Sequence, residues 1–298
     1  MKNLAPIILF TYNRLNHLKS CVNSLKKNKL SCESRIYIFS DGPKKNSDKL
    51  KIKKVRNYIK ALKGFKKKII IERKKNFGLA KNIIDGVTYT FKKEKKAIIL
   101  EDDLIVNVFF LKFMNSSLNK YIKNKKIWHI SGWNYNIKIS SDHDCYFTRG
   151  MNCWGWATWK DRWRYFEKKP KKIIQTWTNK KIKEFNFDNS MNFYSQILRN
   201  YSNQLNSWAI FWYATIFSKK KLCINPIKTF TQNLGISTSA TNTKSIEHIF
   251  NSKLTTFKYQ SFVYPNKVVE DKKIYKKIRR NFKLNKYKNI LKNFLQIK

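Results

Sequence analysis

Acid is the scarce ingredient of this chain. Only 18 of its 298 residues are Asp or Glu, against 64 Lys and Arg, a formal charge of +46. Such a field draws in nucleic acid, anionic lipid or phosphorylated ligands. The Lys residues are spread over the whole chain beside abundant Asn and Ile, the mark of a compositional bias. Nucleic-acid domains concentrate their charge on one face, so no specific nucleic-acid partner is expected. Five cysteines (Cys21, Cys32, Cys145, Cys153, Cys223) are an odd number without a CxxC pair. That argues against a disulfide framework or a zinc site and suits a reducing compartment. His129, His143 and His248 show no metal-ligand spacing and read as structural or exposed. No stretch approaches the roughly 18 continuous apolar residues of a transmembrane helix. The opening MKNLAPIILFTYNR has an apolar run too short for a signal-peptide core and reads as a first strand. A cytoplasmic setting is expected, with at most peripheral contact with anionic membrane. There is no internal repeat.

What is present is a well-supplied core, 42% hydrophobic and 15% aromatic, and one conspicuous stretch, AIILEDDLIV from Ala97 to Val106. An apolar run bounded by charge reads as a strand buried on both faces. It stops on Glu101, Asp102 and Asp103. Adjacent acids repel, and the relief is a bound divalent cation, backbone N–H donors or a shifted pKa. In open α/β sheets ligands gather at the carboxyl ends of strands. A hard cation, Mn2+ or Mg2+, held by one or two of these carboxylates and by phosphate oxygens fits the pattern, as does a surface acid cluster without a ligand.

In chain order, Pro6–Tyr12, Arg35–Ser40, Lys68–Glu72 and Ala97–Leu100 read as strands. Helices follow the first three: an amphipathic one with Leu15, Leu18, Val22 and Leu25 on one face, a basic helical segment at Lys44–Leu62, and a helix from Leu79 to about Phe91. The predicted fold is α/β, a mostly parallel sheet flanked by helices. Beyond it a helix is expected at Phe109–Tyr121 and a strand at Lys126–Ser131. The aromatic stretch CYFTRGMNCWGWATWKDRWRYF spans Cys145–Phe166, its helical part starting near Thr158. Lys168–Lys172 and Thr178–Glu184 read as polar connections, Phe193–Tyr201 and Ser207–Phe217 as helices, and Leu222–Asn225 as a strand.

Several residues carry candidate chemistry. Asp41 ends the second strand, either as a ribose or base contact or as an Asp-Gly-Pro turn residue. Thr11 and Arg14 end the first, where Arg14 is a diphosphate clamp or one more surface cation. Among the tryptophans, Trp159 and Trp163 at i and i+4 predict one buried helical face. Trp154 and Trp156, flanking Gly155, are placed to line a pocket and stack on a sugar or base. Ile274, Ile278 and Phe282 recur every four residues in the Lys-rich tail. They make either a basic amphipathic helix on anionic lipid or a helix docked on its own domain.

Assembled in order, PIILFTYNR, IFSDGP, NFGLAKNI, IILEDDLIV, RGMNCWGWATWKDRW, NSWAIFWYATIF and NLGISTSATNT resemble the GT-A glycosyltransferases. In particular they resemble bacterial family 2-like enzymes related in pattern to the N-acetylglucosaminyltransferase I group. The resemblance covers roughly residues 4 to 245. It implies a GT-A-like fold with a nucleotide-sugar-binding half (1–131), an acceptor-binding half (132–245) and a basic helical C-terminal extension (246–298). It implies inverting transfer from a nucleotide-diphosphate sugar, UDP-sugar favoured, to a glycan or lipid-linked glycan acceptor of a bacterial surface polysaccharide. The ion falls to Asp103, with Asn242 as a further candidate, and the nucleotide to Thr11, Arg14, Asp41, Asn76, Glu101 and Asp102. The acceptor falls to Trp133, Asn134, Arg149, Trp154, Trp156 and Trp208. The chain departs from the pattern in three places. Asn206 stands where relatives carry the Asp general base, Asn242 where they tend to carry His, and Phe211 where an Arg is expected. An amide cannot take a proton. Asp188, Asp142 or Asp144 then acts as base, or the protein is slow or catalytically silent and serves as a scaffold in glycan assembly.

Overall fold

The computed structural model describes residues 3–235, 247–254, 259 and 261–295. Strands β1 (Ile7–Thr11), β2 (Arg35–Ser40), β3 (Lys67–Glu72) and β4 (Lys96–Glu101) are parallel, with β1 between β2 and β4. Their side chains alternate between two cores. Ile7, Leu9, Ile36, Ile38, Ile98 and Leu100 face one, and Ile8, Phe10, Tyr37, Phe39, Ala97 and Ile99 face the other. Burial on both faces is why these strands are near-continuous apolar runs. Helix α1 (Leu15–Lys26) packs Leu18, Cys21, Val22 and Leu25 inward, and α2 (Lys49–Ala61) contributes Ile52, Val55 and Ile59. Helix α3 (Gly78–Thr90) covers the other face with Ala80, Ile83 and Val87. Helix α4 (Phe110–Lys120) returns to the first.

The chain then extends the same sheet. After β5 (Leu104–Val106) come β6 (Ile127–Ser131), β7 (Cys145–Thr148), β8 (Trp156–Trp159) and β9 (Leu222–Pro226), and the sheet order is β3-β2-β1-β4-β8-β6-β9-β7. β8 runs antiparallel between β4 and β6, and β7 antiparallel on β9, so the sheet is mixed but mostly parallel. A two-stranded ribbon pairs β5 with β10 (Thr231–Asn233).

The aromatic stretch folds differently from expectation. WATW is a strand, and its helix begins only at Lys160. Trp159 and Trp163 are both buried, but in different cores, so they form no common face. The Trp159 indole N–H donates to the Leu118 carbonyl, and that of Trp163 to the Thr88 hydroxyl. The two polar connections contain short helices at Pro170–Thr176 and Asn179–Phe185, which bring Trp177 and Phe185 into a third core. The C-terminal helix, Lys272–Leu295, puts Ile274, Tyr275, Ile278 and Phe282 into that same core. Through residue 282 its apolar stripe is therefore spent on its own domain and leaves no apolar face for lipid. Among the described residues no helix is long and apolar enough to cross a membrane.

Candidate active site

The sheet order reverses between β1 and β4, because β1 connects outward to β2 while β3 crosses back to β4. The carboxyl ends flanking such a switch point form a natural crevice. Phe10 is in register with Glu101, which sets Thr11 beside Asp102. The Thr11 hydroxyl donates to Asp102 Oδ2 at 2.9 Å, and the Tyr12 backbone N–H donates to the same oxygen at 3.2 Å. Arg14 Nη2 donates to Asp102 Oδ1 at 2.6 Å and to Asp103 Oδ2 at 3.2 Å. The residues before α1 and after β4 thus form one unit. Asp102 is buried and Asp103 keeps 16% of its side chain exposed, against 44% for Arg14.

One guanidinium does not balance three acids. Burial pushes the Asp102 carboxyl upward, Arg14 pulls it back, and Asp103 adds to the rise. Burial, reinforced by the charges of Asp103 and Asp102, pushes Glu101 up to about 8. Near 8, Glu101 is largely protonated at neutral pH, and a bound cation would let it ionise; crowding that suppresses a carboxylate's charge is a cation's environment. No group of three His, Cys, Asp or Glu side chains forms a metal cage among the described residues. The donor set nevertheless suits Mg2+ or Mn2+, which bind through one or two carboxylates and complete their shell with phosphate oxygens and water.

The ribbon of β5 and β10 closes the far side of this cluster. The Leu234 N–H donates to the Asp103 carbonyl at 2.8 Å, and Gly235 lies against the Asp103 carboxylate. Asn242 lies outside the described residues.

Asp41 plays a different part. Its carboxylate accepts from Gly42 N and Phe77 N at 2.8 Å, from Gly78 N at 3.0 Å and from Asn76 Nδ2 at 3.2 Å. Asp41 and Asn76 therefore lock the loop entering α3, and every lone-pair direction of the carboxylate is taken. Gly42 is obligatory in this lock, because a Cβ there would sit 2.4 Å from the Lys75 carbonyl carbon.

The residues expected to meet an acceptor divide. Trp133 and Trp154, edge-to-face at 4.7 Å, line a cavity of about 180 Å³ with Met151, Phe193, Ile210 and Tyr213. The Trp133 indole nitrogen is buried with no hydrogen-bond partner among the described residues. Cys153 lines the same cavity, and its thiol is raised by burial and then by the charge of Glu101, which sets the cavity near the acids. Trp156 and Trp208 instead stack on each other at 5.1 Å inside the second core. A strand position facing the core, not an irregular segment, holds Trp156. Asn134 is buried, with its side chain bonded to the Ile227 carbonyl, the Tyr135 N–H and the Tyr146 hydroxyl. Arg149 follows β7, which runs antiparallel to β9, so it lies at the end of the sheet opposite the acids. There it grips Glu270, with Nη2 to Oε2 at 2.6 Å.

The candidate bases are also accounted for. Asn206 is exposed and accepts from the Lys168 ammonium. Asp188 pairs with Arg279 at 2.9 Å and accepts from the Tyr275 hydroxyl at 3.4 Å, which ties it to the C-terminal helix. Asp144 accepts from the Val263 N–H at 2.8 Å, and Asp142 is exposed. Sequence reasoning missed Asp48, which takes the Tyr12 hydroxyl at 2.7 Å and the Asn13 amide at 2.9 Å. It thereby fixes the turn that presents Arg14. The only signal was the polar Tyr-Asn-Arg ending of the first strand.

Among solved structures, GalNAc-T7 with UDP, GalNAc and Mn2+ is similar at 12% identity and TM-score 0.46, covering 76% of this chain and 43% of that one. TarS 1-349 of S. aureus is similar at 10% identity and TM-score 0.43, covering 77% and 60%. Mannosyltransferase PcManGT from Pyrobaculum calidifontis, with GDP-Man and Mn2+, is similar at 8% identity and TM-score 0.38, covering 72% and 68%. A further match, to S. aureus TarS, covers 40% of this chain and only 20% of that one. No curated protein matches. Residues 1–188, which contain β1 to β4 and the whole acid cluster, match the GNT-I family; the match covers more than half of the chain, which belongs to that family.

Proposed function

We propose that the protein transfers a sugar from a nucleotide-diphosphate sugar, UDP-linked in the first instance, to a hydroxyl of a bacterial surface glycan precursor, with inversion. The observation that carries this reading is the unit of Thr11, Arg14, Asp102 and Asp103 at the switch point of a GNT-I family chain. Asp103 would hold Mn2+ or Mg2+, and Asp102, fixed by Thr11 and Tyr12, would present its neighbour to the diphosphate. When bound, the ion supplies charge neutralisation for the departing nucleotide diphosphate. Arg14 Nε and Nη1 make no bond among the described residues, so the guanidinium can add phosphate contacts while it stays on the carboxylates. Asp41 and Asn76 act by holding the loop at the nucleotide's side. Trp133 and Trp154 offer aromatic walls to the acceptor sugar. Positioning, more than proton abstraction, would set the rate, because Asn206 cannot act as a base.

A second reading, a catalytically silent scaffold of glycan assembly, is favoured by the Asn206–Lys168 contact and by the commitment of Asp188 to Arg279. Thermal shift with UDP, GDP, CMP and dTDP, with and without Mn2+, on wild type and Asp103→Asn tests both. A metal-dependent rise for one nucleotide, lost in the variant, is expected, followed by slow nucleotide release from the matching sugar donor. Binding without release supports the silent scaffold. No shift with any nucleotide, from folded protein, refutes a donor site at Asp103.

A further inference from the structure

The end of the sheet opposite the acid cluster carries a basic basin that the donor site does not use. Strands β6 and β9 run parallel to β4, so the residues just before them, Lys126 and Lys221, lie at this far end. A concavity of about 490 Å³ there is lined by Lys180, Lys181, Lys220 and Lys221. Its acids are Glu184 and Glu270, and Glu270 is already neutralised by Arg149. It adjoins, through Lys221, an open depression of about 650 Å³ lined by Lys125, Lys126, Lys267 and Val269. Among the described residues, Lys125 pairs with Asp161, whereas Lys126, Lys180, Lys181, Lys220, Lys221 and Lys267 form no ion pair.

Two further observations separate this basin from the general excess of lysine. Its cations are crowded enough to disturb one another, since burial and then the like charge of Lys220 push the Lys181 ammonium below its ordinary value. Apolar side chains also stand out to solvent at its edge. Val269 is 59% exposed, and Ile122, just before Asn124 and Lys125, is 42% exposed. The ammonium groups of Lys181 and Lys221 lie over the faces of Trp177 and Trp128, 4.8 and 5.8 Å from the ring centres, so cations and aromatic surface stand together here. Cations ringing exposed aliphatic groups match a lipid interface, where headgroup phosphates meet acyl chains. A nucleic-acid groove has no use for Val269.

We propose that this basin docks the protein on an anionic phospholipid surface, with Lys180, Lys181, Lys220 and Lys221 on headgroup phosphates and Val269 at the acyl boundary. The acid cluster then points away from the bilayer, one sheet length from it.

The test is sedimentation of the full chain with vesicles of phosphatidylcholine, with and without phosphatidylglycerol. A juxtamembrane lysine strengthens binding by about fivefold. The fourfold variant K180Q/K181Q/K220Q/K221Q should bind phosphatidylglycerol vesicles more than about a hundredfold more weakly. The charge-matched control K49Q/K51Q/K53Q/K54Q, on the exposed side of α2, should lose less than about tenfold. Val269→Asp should weaken the binding that survives at about 0.15 M salt, where screening has removed part of the electrostatic pull. Equal losses in the two fourfold variants, both shown to be folded by melting, would mean a diffuse charge effect and overturn the proposal. So would wild type that ignores anionic vesicles, or one displaced from them by inorganic phosphate or by random DNA at equal charge.

Discussion

His129 offers a quantitative check on the interior that supports the aromatic cavity. It is fully buried on β6 and stacked on Trp156 at 5.4 Å. Both ring nitrogens are engaged. The Trp212 indole N–H donates to Nδ1 at 3.2 Å, and Nε2 lies 2.9 Å from the Asn152 carbonyl. Nδ1 must therefore be the acceptor and Nε2 must carry the proton, which makes the ring neutral. A second proton on Nδ1 would face another N–H donor. Burial pushes the imidazole down to about 3, against the smaller upward pull of the Asn152 carbonyl. The unfolded chain protonates this group near 6.5. Above that value both states are neutral and the group has no effect. As pH falls from about 6.5 toward 3, the unfolded state takes up a proton that the native state refuses, and stability is lost. At pH 5, about 1.5 units below the unfolded value, the loss is about 2 kcal/mol. In a chain of this size that lowers Tm by about 3 °C. The assay is urea unfolding of wild type and His129→Gln at pH 7.5 and pH 5. The variant should have a shallower dependence by about 2 kcal/mol, whatever its stability at neutral pH, because the other titrating groups cancel in the difference. An NMR titration should show His129 as a neutral Nε2–H tautomer at pH 5. Equal pH slopes, or an imidazole that titrates near 6.5, would refute the assignment. Protonation of Nδ1 would break the bond from Trp212 and keep the Nε2–H bond to Asn152, so the Trp212 indole N–H should lose hydrogen-exchange protection first.

Two more substitutions probe how the sites are built. Gly42→Ala should cost at least about 1–3 kcal/mol in urea unfolding, because the new methyl meets the backbone of Lys75 and Asn76, not a side chain that can swing away. A loss under about 0.5 kcal/mol would show that the loop locked by Asp41 is loose. Trp133→Phe should stay within about 1 kcal/mol of wild type, since it removes a buried donor that has no partner along with part of the ring. Trp133→Ala should cost about 3–5 kcal/mol by opening a cavity. If Phe proves nearly as costly as Ala, the indole nitrogen has a partner, such as a bound water.

The first half of the fold is written in a period of two. Each of β1, β2 and β4 sends alternate residues to two covered faces, so the apolar runs, their spacing and the acids at their ends were sufficient to place the acids at the carboxyl ends of a mostly parallel sheet; the strand order came from the structure. The second half was harder to read for physical reasons. In WATW the two tryptophans are three apart, and Trp159 and Trp163 four apart, spacings that imitate a helix. Only the pairing of β8 with β4 and β6 shows a strand. Pro170–Thr176 and Asn179–Phe185 are too short and lysine-rich for periodicity to register, and they become helices because Trp177 and Phe185 find a core. The direction of β7 carried Arg149 to the far end of the sheet, a consequence of topology that no local pattern contains.

Strand-end position alone does not separate a residue that meets a ligand from one that holds the loop beside it. Asp41 and Asp103 look alike in sequence, each an acid closing an apolar run. Hydrogen bonds separate them. Asp41 accepts four bonds, one from Gly42 and three from the loop entering α3, and has nothing left to offer. The Asp103 side chain, part-exposed, accepts one bond among the described residues, from an Arg14 that it shares with Asp102. The same accounting ties the side chains of Asn134 and Asp188 to the surrounding fold and leaves Trp133, whose N–H has no partner among the described residues, as a proposed acceptor contact. A buried polar group that is fully bonded stabilises the fold, and one that is not is where a ligand can still add a bond.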